Sequence, residues 1–282
     1  MITLNRYQLP LLLQNLPQPP EKLYVSGDSL QKLLDSPRIA IVGSRKVTPY
    51  GRTVTHKLSH DLASKGMTIV SGLALGVDSI AHTSCLEASG TTIAVLPAGL
   101  DKIYPSSHHN LAQDIIRKNG LLVSEYPPNT PPLRHNFIAR NRIIAALAEG
   151  LLITEAAIAS GSLHTARFAL ELGIPVFAVP GPITSPASAG TNNLIKAGAT
   201  PVTGIDDIIN AMNWQQLDKA PKISADNPEG QIIIDLITSG IVDGHELHRQ
   251  SQLDITTYNR TMTMLELTGK VRPVGANHWM LN

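Results

Sequence analysis

The 282-residue chain has a single cysteine, Cys85. One cysteine can form no internal disulfide and no Cys-based zinc site, so the chain fits a reducing compartment and Cys85 is expected to pack rather than react. No apolar run approaches the ~20 residues needed to cross a bilayer, and no basic region precedes an apolar signal core. A soluble, cytoplasmic protein with no membrane partner is expected. The sequence has no Gly-x-x-x-x-Gly-Lys-Ser/Thr, which disfavours a P-loop ATPase, and no Gly-x-Gly-x-x-Gly. The turn Gly72-Leu73-Ala74-Leu75-Gly76-Val77-Asp78 lacks the spacing of a dinucleotide fingerprint, so NAD is disfavoured. Gly-x-Ser-x-Gly and His-Glu-x-x-His are missing too, and the ten histidines are scattered apart from His108-His109. No cofactor, metal or catalytic residue is expected. Excess charge is also lacking, at +1 overall. Residues 1–212 carry 17 Lys+Arg against 14 Asp+Glu, and residues 229–282 carry 4 against 6. Any polyanion-binding surface must therefore be a local patch on the larger part.

What is present is an alternation. Between residues 38 and 203, β-rich runs at Ile39–Val42, Thr68–Val70, Thr92–Leu96, Leu121–Ser124, Leu151–Thr154 and Pro175–Val179 alternate with segments of helical period. The clearest of these are Tyr50–Ser64, Asp78–Ala88, Ala139–Leu147 and Ser162–Leu172. This pattern predicts an α/β fold, a Rossmann-like doubly wound and mostly parallel sheet covered on both faces. The small and polar residues that follow the runs, among them Gly43-Ser44, Ser71-Gly72 and Ser160-Gly161-Ser162, then collect at the carboxyl edge, where ligands bind in such sheets.

Two segments at that edge carry chemistry. Leu133-Arg134-His135-Asn136-Phe137-Ile138-Ala139-Arg140-Asn141-Arg142 packs three arginines around one of only three phenylalanines. Guanidinium groups pair with phosphate oxygens, and an aromatic ring beside them offers a face for an unpaired base. In Gly43-Ser44-Arg45, with Pro49 near the next helix start, Gly43 lets a phosphate approach the helix N-terminus and Arg45 neutralises it. An ordinary first turn of a doubly wound fold would look the same.

Four parts are expected: an N-terminal extension packed on the sheet domain (1–37), the Rossmann-like domain (38–212), a polar linker (213–228) and a C-terminal domain (229–282). The last reads as three helices followed by a small β-wing, in the manner of a winged helix. Its helix Ile255–Leu267 sets Arg260 against Glu266 in an acidic tail, which suits protein contact or capping better than groove reading.

Taken in order, Gly43-Ser44-Arg45 with Tyr50-Gly51, Ser71-Gly72-Leu73-Ala74-x-Gly76-x-Asp78-x-x-Ala81-His82, Tyr104-Pro105, Ser124-Glu125-Tyr126-Pro127, Phe137-x-x-Arg140-Asn141-Arg142-Ile143-Ile144, Ser160-Gly161-Ser162 with Thr165-Ala166, Pro180-Gly181 and Gly190-Thr191-Asn192 closely resemble the DprA/Smf family of DNA-processing proteins. The resemblance covers nearly the whole chain. It implies a homodimer that binds single-stranded DNA during natural transformation and helps load the RecA recombinase. It places the family's strand-end loop on Gly43, Ser44 and Arg45, its basic residue on Arg134 and its base-contacting aromatic on Phe137. Phosphates are expected on the Gly43 and Gly161–Ser162 loops, Arg45, Arg134 and Arg140, a base on Phe137, and a base edge or a helix cap on Asn141. The N-terminal helical domain found in many members has no room in residues 1–37.

Two rival readings remain. The topology also resembles lysine-decarboxylase-like nucleoside monophosphate phosphoribohydrolases, with Arg140 and Glu155 in comparable places, although their Pro-Gly-Gly-x-Gly-Thr-x-x-Glu loop is replaced here by Glu155-Ala156-Ala157-Ile158-Ala159-Ser160-Gly161-Ser162. The other is an adaptor that meets DNA only through a partner.

Overall fold

A computed structural model describes residues 1–214, 225, 227–238, 240–275 and 277–281, so most of the linker expected at 213–228 lies outside the described residues. The chain divides into two compact units, residues 1–220 and 221–282.

The larger unit is built on nine strands: β1 Ile2–Asn5, β2 Lys22–Gly27, β3 Arg38–Val42, β4 Thr68–Ser71, β5 Thr92–Leu96, β6 Leu121–Ser124, β7 Gly150–Ile153, β8 Val176–Ala178 and β9 Thr200–Pro201. They stand in the order β1-β2-β6-β5-β4-β3-β7-β8-β9. From β6 to β9 all neighbours are parallel, whereas β2 pairs antiparallel with β6 and β1 with β2. The extension at 1–37 therefore does more than pack on the sheet, since it prolongs one edge by two strands. Strand order reverses between β3 and β7, the point beyond whose carboxyl ends open sheets of this kind form their ligand crevice.

The helices of this unit are α1 Leu11–Gln14, α2 Leu30–Leu34, α3 Pro49–Ser64, α4 Val77–Glu87, α5 His109–Arg117, α6 Arg134–Ala146, α7 Ser162–Glu171, α8 Ala189–Lys196 and α9 Ile205–Ala211. Because side chains alternate along a strand, one face of the sheet offers Ala40, Val42, Val70, Ile93, Val95, Leu151 and Ile153 to the apolar residues of α6 and α7. The other offers Ile39, Ile41, Ile69 and Leu152 to α3, α4 and α9. Continuous apolar strands are what burial on both faces demands. Cys85 lies in this second core, buried, its thiol pushed up to about 12 by desolvation, which leaves it inert.

The smaller unit has α10 Pro228–Thr238, α11 Gly244–Ser251 and α12 Ile255–Leu267, then a hairpin of β10 Val271–Gly275 and β11 His278–Leu281 paired antiparallel. Ile233, Ile234, Ile237, Leu247, Tyr258, Met262, Leu265 and Val271 form its core. Asp243 and Asp254 cap α11 and α12 through their side chains, which explains the sharp starts of both helices. No described helix is long and apolar enough to cross a membrane.

One buried group makes the fold pH-sensitive. Thr92 Oγ1 donates to Ile69 O at 2.7 Å, so His82 Nδ1, 2.7 Å from the same hydroxyl, must be the donor in their bond. Its Nε2 is then a buried acceptor with no partner among the described residues. Burial, reinforced by His108 and Arg140, lowers the His82 pKa to about 3. Between that value and the ordinary 6.5 the unfolded chain binds the extra proton, so this contribution to stability is complete above the unfolded value and is lost as pH falls towards 3. We predict that wild type loses up to about 1.4 kcal/mol per pH unit through this group inside the window. His82→Gln should remove one proton from the pH dependence of unfolding. Equal slopes for the two proteins, read by urea denaturation from pH 4 to 7, would contradict the assignment.

Candidate nucleic-acid interface

The N-terminal turn of α6 is tied to the end of β5. Asn136 Nδ2 donates to Pro97 O at 3.1 Å, and Arg140 Nη1 donates to Val95 O and, at 2.6 Å, to Gly72 O just beyond β4. Residues 136 and 140 are one turn apart and share a face, so fastening both fixes the rotation of the helix. Phe137 is thereby turned sideways, where its ring meets Tyr104 from the loop after β5 and Arg45 from the loop after β3. The Phe137–Tyr104 centroids are 5.4 Å apart with planes 76° from parallel. Arg45 Cζ stands 5.0 Å above the Phe137 centroid. Phe137 is half-buried and belongs to none of the buried apolar cores.

The three arginines of this segment have separate fates. Arg134 is exposed at the first position of α6 and makes no ion pair among the described residues. A cation at the positive end of a helix dipole is locally unfavourable, and it stands where an anion would find two attractions. Arg142 is buried against Glu125, with Nη2 to Oε1 at 2.6 Å. Arg140 is 3% exposed, and both hydrogen bonds from Nη1 run inward to carbonyls. The structure thus places the Arg140 guanidinium inward, where Nη1 holds the ends of β4 and β5. Burial lowers its pKa to about 10 against the opposing pull of Asp78. Burial also pushes the Asp78 carboxyl up, and Arg140 works against that shift. The same packing makes Gly72 obligatory, since a Cβ there would stand 2.6 Å from the guanidinium carbon.

The Gly43–Arg45 loop also differs from expectation. A Cβ on Gly43 would come within 2.7 Å of Glu155 O and of Val77 Cγ2, so the glycine lets these neighbours close on the loop. Ser44 N–H donates to Glu155 O at 2.8 Å, and Lys46 N–H donates to Ser44 Oγ at 3.1 Å. With these amides occupied, the loop presents side chains, above all the exposed Arg45. Across the crevice, Gly161 is open, with nothing within 4 Å of a side chain placed on it. It precedes α7, whose first turn, like that of α6, contains no acidic residue. Ser162 is buried, and its hydroxyl lies 2.8 Å from that of Ser160. Asn141 lies within α6 and caps nothing. Its Nδ2 reaches Gly161 O at 3.4 Å, which links α6 to the α7 loop.

Arg45, Tyr104, Arg134 and Phe137 are thus gathered at the carboxyl edge, and Gly161 lies at the start of α7. Sequence reasoning assigned no role to Tyr104, although Tyr104-Pro105 was among the motifs it singled out. Among the described residues no three His, Cys, Asp or Glu side chains could hold a metal ion.

A sequence model described as DNA recombination-mediator protein A matches residues 1–213. Protein Smf of Escherichia coli is 45% identical over 216 residues, which cover 75% of this chain and 57% of Smf, so the chain spans little more than half of that relative. DNA processing protein DprA of Bacillus subtilis is 40% identical over 211 residues, 75% of this chain and 70% of its own length. Among solved structures, DNA processing protein A from Helicobacter pylori, described for its single-stranded DNA binding mode, superposes with a TM-score of 0.68 at 40% identity. That match covers 76% of this chain and 95% of that one. A family match over three quarters of the sequence and a shared fold at this identity lead to one conclusion: the chain belongs to the DprA/Smf family, the DNA recombination-mediator protein A family.

Proposed function

We propose that the larger unit, within residues 38–212, binds single-stranded DNA in the crevice between β3 and β7, and that the protein protects incoming strands and helps load RecA recombinase onto them during natural transformation. It does so in the cytoplasm as a homodimer, without enzymatic activity of its own. The observation that carries this reading is the exposed grouping of Arg45 and Tyr104 with Phe137, beside an Arg134 that makes no ion pair among the described residues. Guanidinium groups take phosphates, and an aromatic takes a base in a sequence-tolerant way that requires the base to be unstacked from a complement. Gly161 and Ser162 at the α7 N-terminus, with Ser44 beside Arg45, complete the proposed contact set, in which Gly43, Arg140 and Asn141 serve to position the others. The H. pylori relative, described as binding single-stranded DNA, supports the reading. Residues 229–282 form a separate winged-helix-like domain for which protein contact is proposed.

The phosphoribohydrolase reading needs Arg140 and Glu155 free to meet a substrate. Arg140 is turned inward, and the buried Glu155 carboxylate accepts from Thr48 N–H at 3.0 Å and from the Thr48 hydroxyl. Both side chains are occupied in holding the crevice together.

Oligo-dT should bind more tightly than a hairpin duplex, and log affinity should fall with log salt by about 0.7 per phosphate neutralised. Arg45→Ala and Arg134→Ala should each weaken binding and lower that slope by about 0.7. Titrations at several salt concentrations decide the matter. Equal affinity for duplex, or unchanged slopes in both variants, would overturn the interface.

A further inference from the structure

Tyr104 is 44% exposed, and its hydroxyl has no hydrogen-bond partner among the described residues. A tyrosine used for packing buries its ring and pairs its O–H; Tyr104 does neither completely. Its ring instead stands against Phe137, 5.4 Å between centroids and 76° from parallel. Rings so nearly perpendicular cannot both lie flat on one base, and together they provide two aromatic surfaces in different planes. Arg45, already 5.0 Å over the Phe137 ring, limits what that ring alone can hold. The same guanidinium puts a positive charge beside this corner.

Resting on the reading of this site as a single-stranded DNA interface, we infer that Tyr104 is a second base-binding residue, which stacks the nucleotide adjacent to the one held by Phe137. The occupant is a neighbouring base of the same strand, because the surface is continuous with Phe137 and flanked by cations suited to its phosphates. Two bases held on near-perpendicular rings cannot stack on each other, so the strand is bent open at this step.

The test uses the full chain and abasic deoxyribose-phosphate oligomers of about ten nucleotides, within the usual range of single-strand site sizes. One carries a single thymine and the other two adjacent thymines. In wild type the second thymine should raise affinity roughly 5- to 150-fold, the range for one stacked base. Tyr104→Ala should abolish this gain, so that within the variant the two oligomers bind with equal affinity whatever the level of that affinity. Tyr104→Phe, which retains the ring, should preserve the gain. The inference is overturned if wild type shows no gain, if Tyr104→Ala keeps it, or if Tyr104→Ala weakens both oligomers alike, which would mean that Tyr104 only props Phe137. Failure of the interface itself looks different, as wild type would then not bind oligo-dT in preference to duplex and the inference would fall with it.

Discussion

Phe137→Ala is expected to cost about 1 to 3 kcal/mol of oligonucleotide affinity and to leave the salt dependence unchanged, because a stacking surface is lost and no phosphate contact is. The fold should barely register the change. A core phenylalanine truncated to alanine costs about 3 to 5 kcal/mol. Phe137 is only half-buried and lies outside the apolar cores, so its neighbours Tyr104 and Arg45 have little cavity to leave behind. Melting curves beside binding titrations separate the two outcomes. A core-sized fall in melting temperature with intact affinity in the folded fraction would make Phe137 a structural residue and remove the stacking platform.

Arg140→Met should do the reverse. Removing the guanidinium strands the buried Asp78 and leaves Gly72 O and Val95 O without their donor. Each buried carbonyl left without its donor costs about 1 to 3 kcal/mol, and loss of the positive charge that opposes the Asp78 shift adds to that. The expected result is a large drop in the urea midpoint with an unchanged m-value, while folded protein keeps the wild-type salt slope. A loss of about 0.7 from that slope with normal stability would instead put Arg140 on a phosphate. Arg140→Lys should recover part of the stability only, since an ammonium keeps the charge but lacks the planar fork of donors.

The contrast between these two residues shows where the sequence speaks and where it is silent. Strands β3 to β8 were legible because each is a short β-branched or apolar run between turn residues, and the rule for ligand sites in open sheets then located the crevice. Helix α6 was expected from Ala139 but begins at Arg134: its first turn has no apolar period and is held by Asn136 and Arg140 reaching carbonyls about 40 residues away. The arginine cluster was legible as composition and illegible as geometry. Arg134 and Arg140 are the same residue type, yet one faces solvent and the other is buried. A signal did exist, since Ile143, Ile144 and Leu147 follow Arg140 at helical spacing and mark its side of α6 as the buried one. The two strands of the N-terminal extension left less trace. Leucine- and proline-rich residues become a β-hairpin there because β6, about 100 residues on, offers an edge. Partners that distant are not written in local pattern.

The reversal of strand order has a consequence for how the molecule comes into being. Ile39 of β3 lies opposite Gly150 of β7, so an interior strand of the sheet waits for a neighbour that leaves the ribosome more than a hundred residues later. Pairings of such sequence separation form slowly, because the entropy of closing a long loop is lost before any contact rewards it. Until β7 arrives, β3 presents an open edge whose residues include Ile39, Ile41 and Val42, a surface prone to misassociation. The groups proposed to contact DNA are made in sequence, with Arg45 early, Tyr104 and Phe137 later and Gly161 last. The proposed contact set is complete only after β7 and the start of α7 have been made, so a shorter nascent chain is expected to bind single strands poorly.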